Sequence, residues 1–338
     1  MAPGVWRPAL FGCWMVKASL AAMPGLYVYR QTNALSDLNL AINIGPGQLL
    51  APIRSLVASD LRMLVVSYVF LFLNPPESID MSTLKGKTAL VTGSTSGIGL
   101  GMAIALAKQG ANIMVNGFGE KDDALAQIKA CGVEVDYHGA DMSKPAEIED
   151  LIKQTEKRFG SLDILVNNAG IQYTANIEDF PADKWDAIIA INLSSAFHTT
   201  HHALPGMQKR NWGRIINIAS VHGLVASTQK AAYVAAKHGI IGLTKVTALE
   251  NARTGITCNA ICPGWVLTPL VQKQVDARAE RDGVSNEAAK IALVSEKQPS
   301  GQFVTPEQLA ALAVFLCGPD ASEVRGVAWN MDGGWTAQ

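Results

Sequence analysis

The 338-residue sequence has almost no excess of either charge, because 28 lysines and arginines oppose 29 aspartates and glutamates. A net charge of −1 creates no field that would attract nucleic acid or an anionic membrane, so we expect neither as a partner. Long apolar runs are also lacking. The run MLVVSYVFLFL (63–73) has eleven residues, which is too short for an ordinary transmembrane helix.

Cysteine is scarce, and its spacing favours no disulfide framework. None of the five cysteines forms a CxxC pair, so we expect reduced thiols in a reducing compartment such as the cytoplasm. A metal site is not expected either, because His198 and His202 are spaced i,i+4 without a glutamate or an evident third ligand. The cysteines are Cys13, Cys131, Cys258, Cys262 and Cys317.

The chain changes character at Met81, after which short strand-like runs alternate with helix-like segments. The middle runs are almost continuously apolar, which is typical of strands buried on both faces. Residues 81–338 therefore predict an α/β fold: a single doubly wound Rossmann-type domain with a parallel sheet flanked by helices. The predicted strands are TALV (88–91), NIMV (112–115), VEVDYHG (133–139), DILVN (163–167), RIINIAS (214–220), ITCNAIC (256–262) and GVAWNMDG (326–333).

Residues 1–80 fit no such pattern and form an N-terminal extension of doubtful structure. Three hypotheses compete for this extension: a targeting presequence, a membrane anchor, or upstream sequence read in frame before a true start at Met81. Basic residues with no acid before Asp37 argue for a presequence. We favour the third hypothesis, because codons for Pro76-Glu77 can contain a purine-rich ribosome-binding sequence shortly before Met81.

A glycine-rich segment, TGSTSGIG (92–99), directly follows the first predicted strand of residues 81–338. A strand, a glycine turn and a helix start are the context of a dinucleotide site, because the backbone can approach the pyrophosphate at the helix N-terminus. The end of the second strand, where the 2′ position of the cofactor is usually read, is MVNGFGEKDD (114–123). Neither the usual aspartate nor a basic residue lies at 116–118, and Lys121 is the nearest cation. We therefore prefer NAD, since an unpaired phosphate dianion costs more than one missing ribose hydrogen bond.

Three further motifs follow in order: NNAG (167–170), Ser220 at a strand end, and YVAAK (233–237). Tyrosine has a pKa of roughly 10 and is a poor base alone. Lys237 lies at i+4 from Tyr233, where an ammonium can favour the phenolate. Ser220 can donate to a substrate oxygen as charge develops. With the glycine segment, these motifs resemble the short-chain dehydrogenase/reductase superfamily over essentially all of 81–338.

The resemblance implies further roles. It implies that Lys237 also binds the nicotinamide ribose and that Asn192 links this lysine to a water chain. It also implies that PGWVLTP (263–269) holds the nicotinamide carboxamide, with Thr268 near the phosphates. The expected cofactor contacts are Gly93, Thr95, Ser96, Gly97, Ile98, Gly99, Phe118, Asp141, Met142, Asn168, Ala169, Gly170, Tyr233, Lys237, Pro263, Gly264, Val266 and Thr268, of which Asp141 and Met142 are expected to frame the adenine.

Four polar residues are expected at the substrate end of the cofactor: Gln172, His222, Lys230 and Gln274. One cation and several neutral donors suit a small monocarboxylate, and Trp265 and Trp335 are candidates to wall its apolar end. Gln272 lies two residues from Gln274, so either is a possible carboxylate ligand; we prefer Gln274. The helix-like residues 268–300 are read as a mobile lid that excludes water.

The segments NNAGIQ, ASVHGLVAS, KAAYVAAKHG and NAICPGWVLTPLV resemble, more narrowly, the family of bacterial D-3-hydroxybutyrate dehydrogenases. This resemblance implies oxidation of (R)-3-hydroxybutyrate to acetoacetate with NAD in a homotetramer. The alternative is an NADPH-dependent ketoacyl-thioester reductase, or another small-alcohol dehydrogenase of the superfamily. A ketoacyl-thioester reductase would need a basic residue at the 2′ position and an open, less polar pocket, and neither is seen in the sequence.

Overall fold

The computed structural model describes residues 27–31, 39–43 and 84–337. The apolar run at 63–73 lies outside the described residues, as do Cys13, Asp37 and Pro76-Glu77. Within the described part of the chain, no helix combines the length and apolar character needed to cross a membrane.

The chain divides into two compact units, Met1–Asp80 and Met81–Gln338. In the first unit, β1 (Tyr27–Gln31) and β2 (Asn39–Asn43) pair antiparallel over five residues each. The second unit contains a seven-stranded parallel sheet with the order β5-β4-β3-β6-β7-β8-β9. Its strands are β3 Thr88–Val91, β4 Asn112–Asn116, β5 Val135–His138, β6 Ile164–Asn167, β7 Gly213–Ile218, β8 Ile256–Pro263 and β9 Ala328–Met331.

Helices connect these strands, and the predicted parallel α/β architecture is confirmed. A π-helical turn, Ala190–Ser194, joins the fourth and fifth helices. The helices are α1 Gly97–Lys108, α2 Asp122–Lys129, α3 Pro145–Phe159, α4 Ala182–Ile189, α5 Ser195–Arg210, α6 Ala231–Glu250, α7 Pro269–Asp282, α8 Asn286–Ser295 and α9 Pro306–Cys317.

The central strands are apolar without alternation because each strand serves two cores. In β3, Ala89 and Val91 face a cluster that includes Met102 of α1, whereas Leu90 faces the opposite cluster with Leu151 of α3. All four residues of β3 are buried. The run TALV is apolar at successive positions because helices cover both faces of the sheet. A sheet with one solvent-exposed face would show alternating polar and apolar residues.

A buried chain of polar side chains fixes the two strands and two helices nearest the later motifs. Asn167 of β6 donates to Asn217 of β7 at 2.9 Å and accepts from Thr199 of α5 at 2.6 Å. Asn217 in turn donates to Thr244 of α6 at 2.8 Å. Since buried polar groups are costly without partners, this network specifies the position of α6 against the sheet.

Candidate active site

The loops after β3, β6, β7 and β8 meet at one crevice. All strands are parallel, so their carboxyl ends share one edge, and the chain order reverses between β3 and β6. A cavity of about 270 Å³ opens there. The predicted site residues on its walls are Gly93, Ser96, Gly97, Ile98, Asn168, Ala169, Gly170, Gln172, Ser220, His222, Lys230, Tyr233, Lys237, Pro263, Gly264, Trp265, Val266, Thr268, Gln274 and Trp335.

The glycine loop has the conformation that a pyrophosphate cradle requires. Gly93 and Gly97 have φ of +65° and +59°, a region that favours glycine, and a Cβ on Gly99 would overlap the Gly93 carbonyl oxygen. Helix α1 begins at Gly97, its N-cap Ser96 makes no side-chain capping bond, and its first turn contains no acid. The helix N-terminus therefore offers N–H groups and an unneutralised dipole to a phosphate, so this segment fits a dinucleotide.

The NNAG segment supports this loop from the neighbouring strand. The side-chain amide of Asn168 donates to the carbonyl oxygens of Thr92 and Gly93 at 2.9 and 3.0 Å. The backbone N–H groups of Asn168 and Ala169 both donate to the Thr92 hydroxyl oxygen at 3.0 Å. The Asn168 amide thus holds the glycine loop in place, in addition to lining the crevice.

At the end of β4, the side chain of Asn116 is turned into the protein. It is fully buried and donates to the carbonyl oxygens of His138 and Ala140, both at 3.0 Å. Asn116 therefore has no donor left for a ribose. Nearby, the Thr95 hydroxyl donates to the Phe118 carbonyl oxygen at 3.1 Å, and the Phe118 ring is exposed.

Two residues expected at the adenine do not line the cavity. The Asp141 carboxylate accepts from the backbone N–H and hydroxyl of Ser143 at 2.9 and 2.7 Å, and these bonds lower the pKa of Asp141. Met142 is buried in the core beside α3. Contacts of Asp141 and Met142 with adenine stay predictions, and the same holds for Phe118.

The Asn192 side chain lies in the π-helical turn and binds the backbone of the loop after NNAG. Its amide oxygen accepts from the backbone N–H of Ile171 at 2.9 Å, and its amide nitrogen donates to the Ile171 carbonyl oxygen at 3.0 Å. This pair of bonds fixes the loop after NNAG against α4 and α5. A link from Asn192 to a water chain stays a prediction.

Tyr233, Lys237 and Ser220 converge as predicted. Helix α6 carries both Tyr233 and Lys237, and Ser220 follows β7. The Lys237 Nζ lies 5.5 Å from the centroid of the Tyr233 ring, but its hydrogen bond goes to the Ile218 carbonyl oxygen at 2.6 Å. Burial raises the pKa of Tyr233, and a hydrogen bond with Ser220 opposes this effect in part.

Burial acts on both partners of the Tyr–Lys pair. It raises the pKa of Tyr233 above its ordinary value, outweighing the Ser220 bond, and it lowers the pKa of Lys237 to about 8. The sequence argument that Lys237 by itself acidifies the phenol is therefore incomplete. Since burial penalises each charge alone, a phenolate forms here most readily when the ammonium is charged at the same time.

At the other end of the cavity, the Lys230 ammonium lies 5.0 Å from the Trp265 ring centroid. Burial lowers the pKa of Lys230 to about 8, and no described carboxylate forms an ion pair with it. A largely buried cation without a counter-charge is costly, so this geometry fits an anionic ligand.

Two amides flank this cation. The Gln172 side-chain nitrogen is buried and has no hydrogen-bond partner among the described residues, as expected of a donor awaiting a ligand. Gln274 lines the cavity, whereas Gln272 does not and donates instead to Asp276 at 2.8 Å. The structure thus places Gln274, the preferred choice of the two, at the site.

Aromatic rings close the remaining wall. The Trp335 ring lies 5.4 Å from that of His222 and 6.0 Å from that of Trp265. His222 Nδ1 lies 3.3 Å from the Ser220 oxygen, and its Nε2 lies 2.9 Å from the Ser227 oxygen. A direct bond from His222 to a substrate would require one of these two bonds to break.

Sequence reasoning missed the residues that hold these walls. The Asp332 carboxylate accepts from the backbone N–H groups of Gly334 and Thr336 at 3.0 and 2.9 Å, which fixes the turn carrying Trp335. Buried Gln298 accepts from the Trp265 backbone N–H and thereby anchors the PGW loop. The aspartate before two glycines in DGGW is a pattern from which the turn could have been predicted. Nothing in the sequence around Gln298 indicated its role.

His198 and His202 lie together on α5, with His201 between them in the same aromatic cluster. Among the described residues, no group of three or more histidine, cysteine or acidic side chains is placed to hold a metal.

A family model described as short chain dehydrogenase matches residues 87–279. The chain belongs to the short-chain dehydrogenase family. It is 71% identical over 257 residues to D-beta-hydroxybutyrate dehydrogenase of Cupriavidus necator, covering 75% of this chain and all of that protein. It is 56% identical over 258 residues to the enzyme of the same name from Rhizobium meliloti, covering 75% of this chain and 99% of that protein.

A solved structure of the family has the same fold. A variant of actinorhodin polyketide ketoreductase with NADPH superposes with a TM-score of 0.71 at 38% identity, covering 75% of this chain and 98% of that one. Nicotinamide cofactor binding is thus common to the family, and the crevice described above is where this chain fits one.

We expect Gly99→Ala to weaken NADH binding by roughly ten- to hundredfold, because the new Cβ displaces the cradle and hydrogen bonds to a charged group contribute about 1.5–3 kcal/mol. Titration of NADH fluorescence measures the Kd. Gly242→Ala is the matched control, since a Cβ at Gly242 in α6 meets no atom within 4 Å. Equal Kd values for the two variants would contradict the assigned role of the loop.

Proposed function

We propose that this protein oxidises (R)-3-hydroxybutyrate to acetoacetate with NAD, and that Tyr233 is the general base. The observation that carries the proposal is the Lys230 ammonium, a largely buried cation that no described carboxylate neutralises. A small monocarboxylate supplies the missing charge, and the amides of Gln172 and Gln274 supply neutral donors beside it. The names of the two relatives, at 71% and 56% identity, support the same substrate.

The reaction removes a hydride from C3 and a proton from the C3 hydroxyl. When bound, the oxidised nicotinamide is the hydride acceptor. Tyr233 Oη accepts the hydroxyl proton as the C–O bond becomes a carbonyl, and the Ser220 hydroxyl donates to the same oxygen. Lys237 favours the phenolate form of Tyr233 by its charge. Lys230 orients the substrate so that its C3 lies at the nicotinamide end of the crevice.

The preference for NAD rests on the end of β4. The buried Asn116 amide is bonded to backbone carbonyls and offers nothing to a 2′-phosphate. The nearest cation, Lys121, packs over the Tyr137 ring at 4.8 Å from its centroid. Without a positioned cation, a 2′-phosphate would stay unpaired, so we infer that NAD is preferred over NADP.

The alternative is the NADPH-dependent reduction of a ketoacyl thioester, the class to which the solved ketoreductase belongs by name. A thioester substrate needs a long channel and no cation at its acyl end. Here Trp265 and Trp335 bound a cavity of about 270 Å³ that also contains Lys230. These features favour a short hydroxy acid.

We further propose a cytoplasmic homotetramer. The four described cysteines are free, which fits a reducing compartment. Three elements of the second unit expose large apolar side chains: Phe197 on α5, Leu249 on α6 and Trp329 on the edge strand β9. Two different self-complementary contacts are what a tetramer with closed symmetry needs. Sedimentation equilibrium measures the assembly.

The proposed function is tested by following NADH absorbance with the purified full chain. We expect turnover with (R)-3-hydroxybutyrate and NAD, and at least about tenfold lower kcat/KM with the S enantiomer or with NADP. The assay run in reverse, with acetoacetate and with a ketoacyl thioester, separates the two candidate functions. Faster reduction of the thioester with NADPH would reject the hydroxybutyrate assignment.

Tyr233→Phe should chiefly lower kcat, whereas Gln274→Ala should chiefly raise KM. Loss of the base should lower kcat by at least about a hundredfold, because general-base catalysis contributes about 10²–10⁴-fold. Loss of the amide should chiefly raise KM, because the bond is made equally in substrate and transition state. Steady-state kinetics resolves the two parameters, Gln272→Ala is the control for Gln274, and an equal loss of kcat in both variants would contradict the assignment.

The KM for (R)-3-hydroxybutyrate should depend on the charge of Lys230. This lysine is charged below its pKa of about 8, so KM should be low below that pH and rise by up to about tenfold per pH unit above it. Lys237 titrates in the same range but acts through Tyr233 and should appear in kcat. In Lys230→Arg the guanidinium stays charged, so KM should stay flat between about pH 7 and 9. A wild-type KM independent of pH over that range would argue against the carboxylate contact.

A further inference from the structure

We infer that His222 and Ser227 form a hydrogen-bonded chain that directs the hydroxyl proton of Ser220 toward the reacting oxygen. The inference rests on the proposed function, because it assumes that Ser220 donates to a substrate. It makes Ser227 a positioning residue: it touches neither substrate nor cofactor and acts through His222.

The chain is continuous in the structure. The Ser227 oxygen lies 2.9 Å from His222 Nε2, and His222 Nδ1 lies 3.3 Å from the Ser220 oxygen. The backbone N–H of His222 also donates to the Ser220 oxygen at 3.2 Å. Both imidazole nitrogens are therefore occupied by serine hydroxyls, and the ring links the catalytic serine to a loop residue five positions away from the histidine.

The ring carries one proton. Burial lowers the pKa of His222 to about 3, so the imidazole is neutral at every pH at which the enzyme would work. A neutral imidazole has one donor nitrogen and one acceptor nitrogen. The position of this single proton decides the direction of both serine bonds.

The two tautomers have opposite consequences for Ser220. With the proton on Nε2, the ring donates to Ser227, and Ser220 must donate its own proton to Nδ1 and has none for a substrate. With the proton on Nδ1, Ser220 accepts two N–H groups from His222 and keeps its hydroxyl proton for the reacting oxygen. Ser227 then donates to Nε2, which is the productive arrangement.

Burial makes this arrangement depend on Ser227. His222 is 5% exposed, and the rings of Tyr233 and Trp335 pack nearly perpendicular to it at ring-centroid distances of 5.9 and 5.4 Å. Among the described residues, the Ser227 hydroxyl is the group that bonds to Nε2. Removing that hydroxyl should raise the population of the unproductive tautomer.

Kinetics on the full chain tests this chain of bonds. We expect Ser227→Ala to lower kcat by about tenfold with little change in KM, because the lost interaction acts on the transition state alone. Ser227→Thr retains the hydroxyl and should restore kcat. Thr228→Ala removes an exposed hydroxyl next to Ser227 and should leave both parameters unchanged.

A double-mutant cycle with Ser220→Ala identifies the route of the effect. If Ser227 acts through Ser220, adding Ser227→Ala to Ser220→Ala should cost no further activity. A raised KM with unchanged kcat in Ser227→Ala, or the same tenfold loss in the Ser220→Ala background, would overturn the inference. Failure of Ser227→Thr to recover activity would do the same.

A second measurement needs no turnover and so separates this inference from the proposed function. Two-bond ¹H–¹⁵N spectra of ¹⁵N-histidine-labelled protein report which ring nitrogen is protonated, with His222→Gln for assignment. We expect Nδ1 to be protonated in the parent and a shift toward Nε2 in Ser227→Ala. A parent ring protonated at Nε2 would reject the chain, whereas a parent that shows the expected tautomer but ignores hydroxybutyrate would reject only the proposed substrate.

Discussion

Two lysines, the buried Lys237 and the half-buried Lys230, line one crevice with Tyr233, and the site depends on how their positive charges are balanced. Lys237 donates to a backbone carbonyl, and Lys230 packs over an indole ring. Neither forms an ion pair with a described carboxylate, and burial lowers the pKa of each to about 8. Such sites are tolerable when a ligand or an ionising neighbour supplies the negative charge. The phenolate of Tyr233 suits the role of ionising neighbour to Lys237, and a substrate carboxylate suits the role of ligand to Lys230.

The scaffold keeps these charges in place through internal hydrogen bonds made by three asparagines near the crevice. The Asn168 side chain, after β6, donates to the backbone of the glycine loop. The Asn192 side chain, in the turn between α4 and α5, binds the backbone of the loop after NNAG. Asn217 connects the strand before Ser220 to the helix of Tyr233 through Thr244. Several polar residues of the motifs thus use their side chains to hold the protein structure in place, which leaves fewer side-chain donors and acceptors for a ligand.

In the second unit, the sequence pattern predicted the strands well. The runs TALV and NIMV are strands within one residue of the predicted bounds, because a strand between two helical layers needs apolar side chains on both faces. The glycine loop, Ser220 and the pair Tyr233–Lys237 also lie where the motifs indicated. The orientation of side chains was less predictable from the sequence. The Lys237 ammonium donates to the Ile218 carbonyl oxygen, and the Met142 side chain lies in the core. Spacing gives the helical face of a side chain, but its rotamer depends on packing from other segments.

The sequence alone determined the fold class, since this follows from the apolar patterns of its strands and helices, and its motifs gave the glycine loop, Ser220, Tyr233 and Lys237 as candidate site residues. Only the tertiary structure decided which of Gln272 and Gln274 meets the crevice, that Asp332 and Gln298 hold its tryptophans, and that Ser227 completes the partners of His222. These relations depend on the meeting of loops from distant strands. Burial, which sets the pKa values and the hydrogen-bond requirements of these groups, exists only once the chain has closed around them.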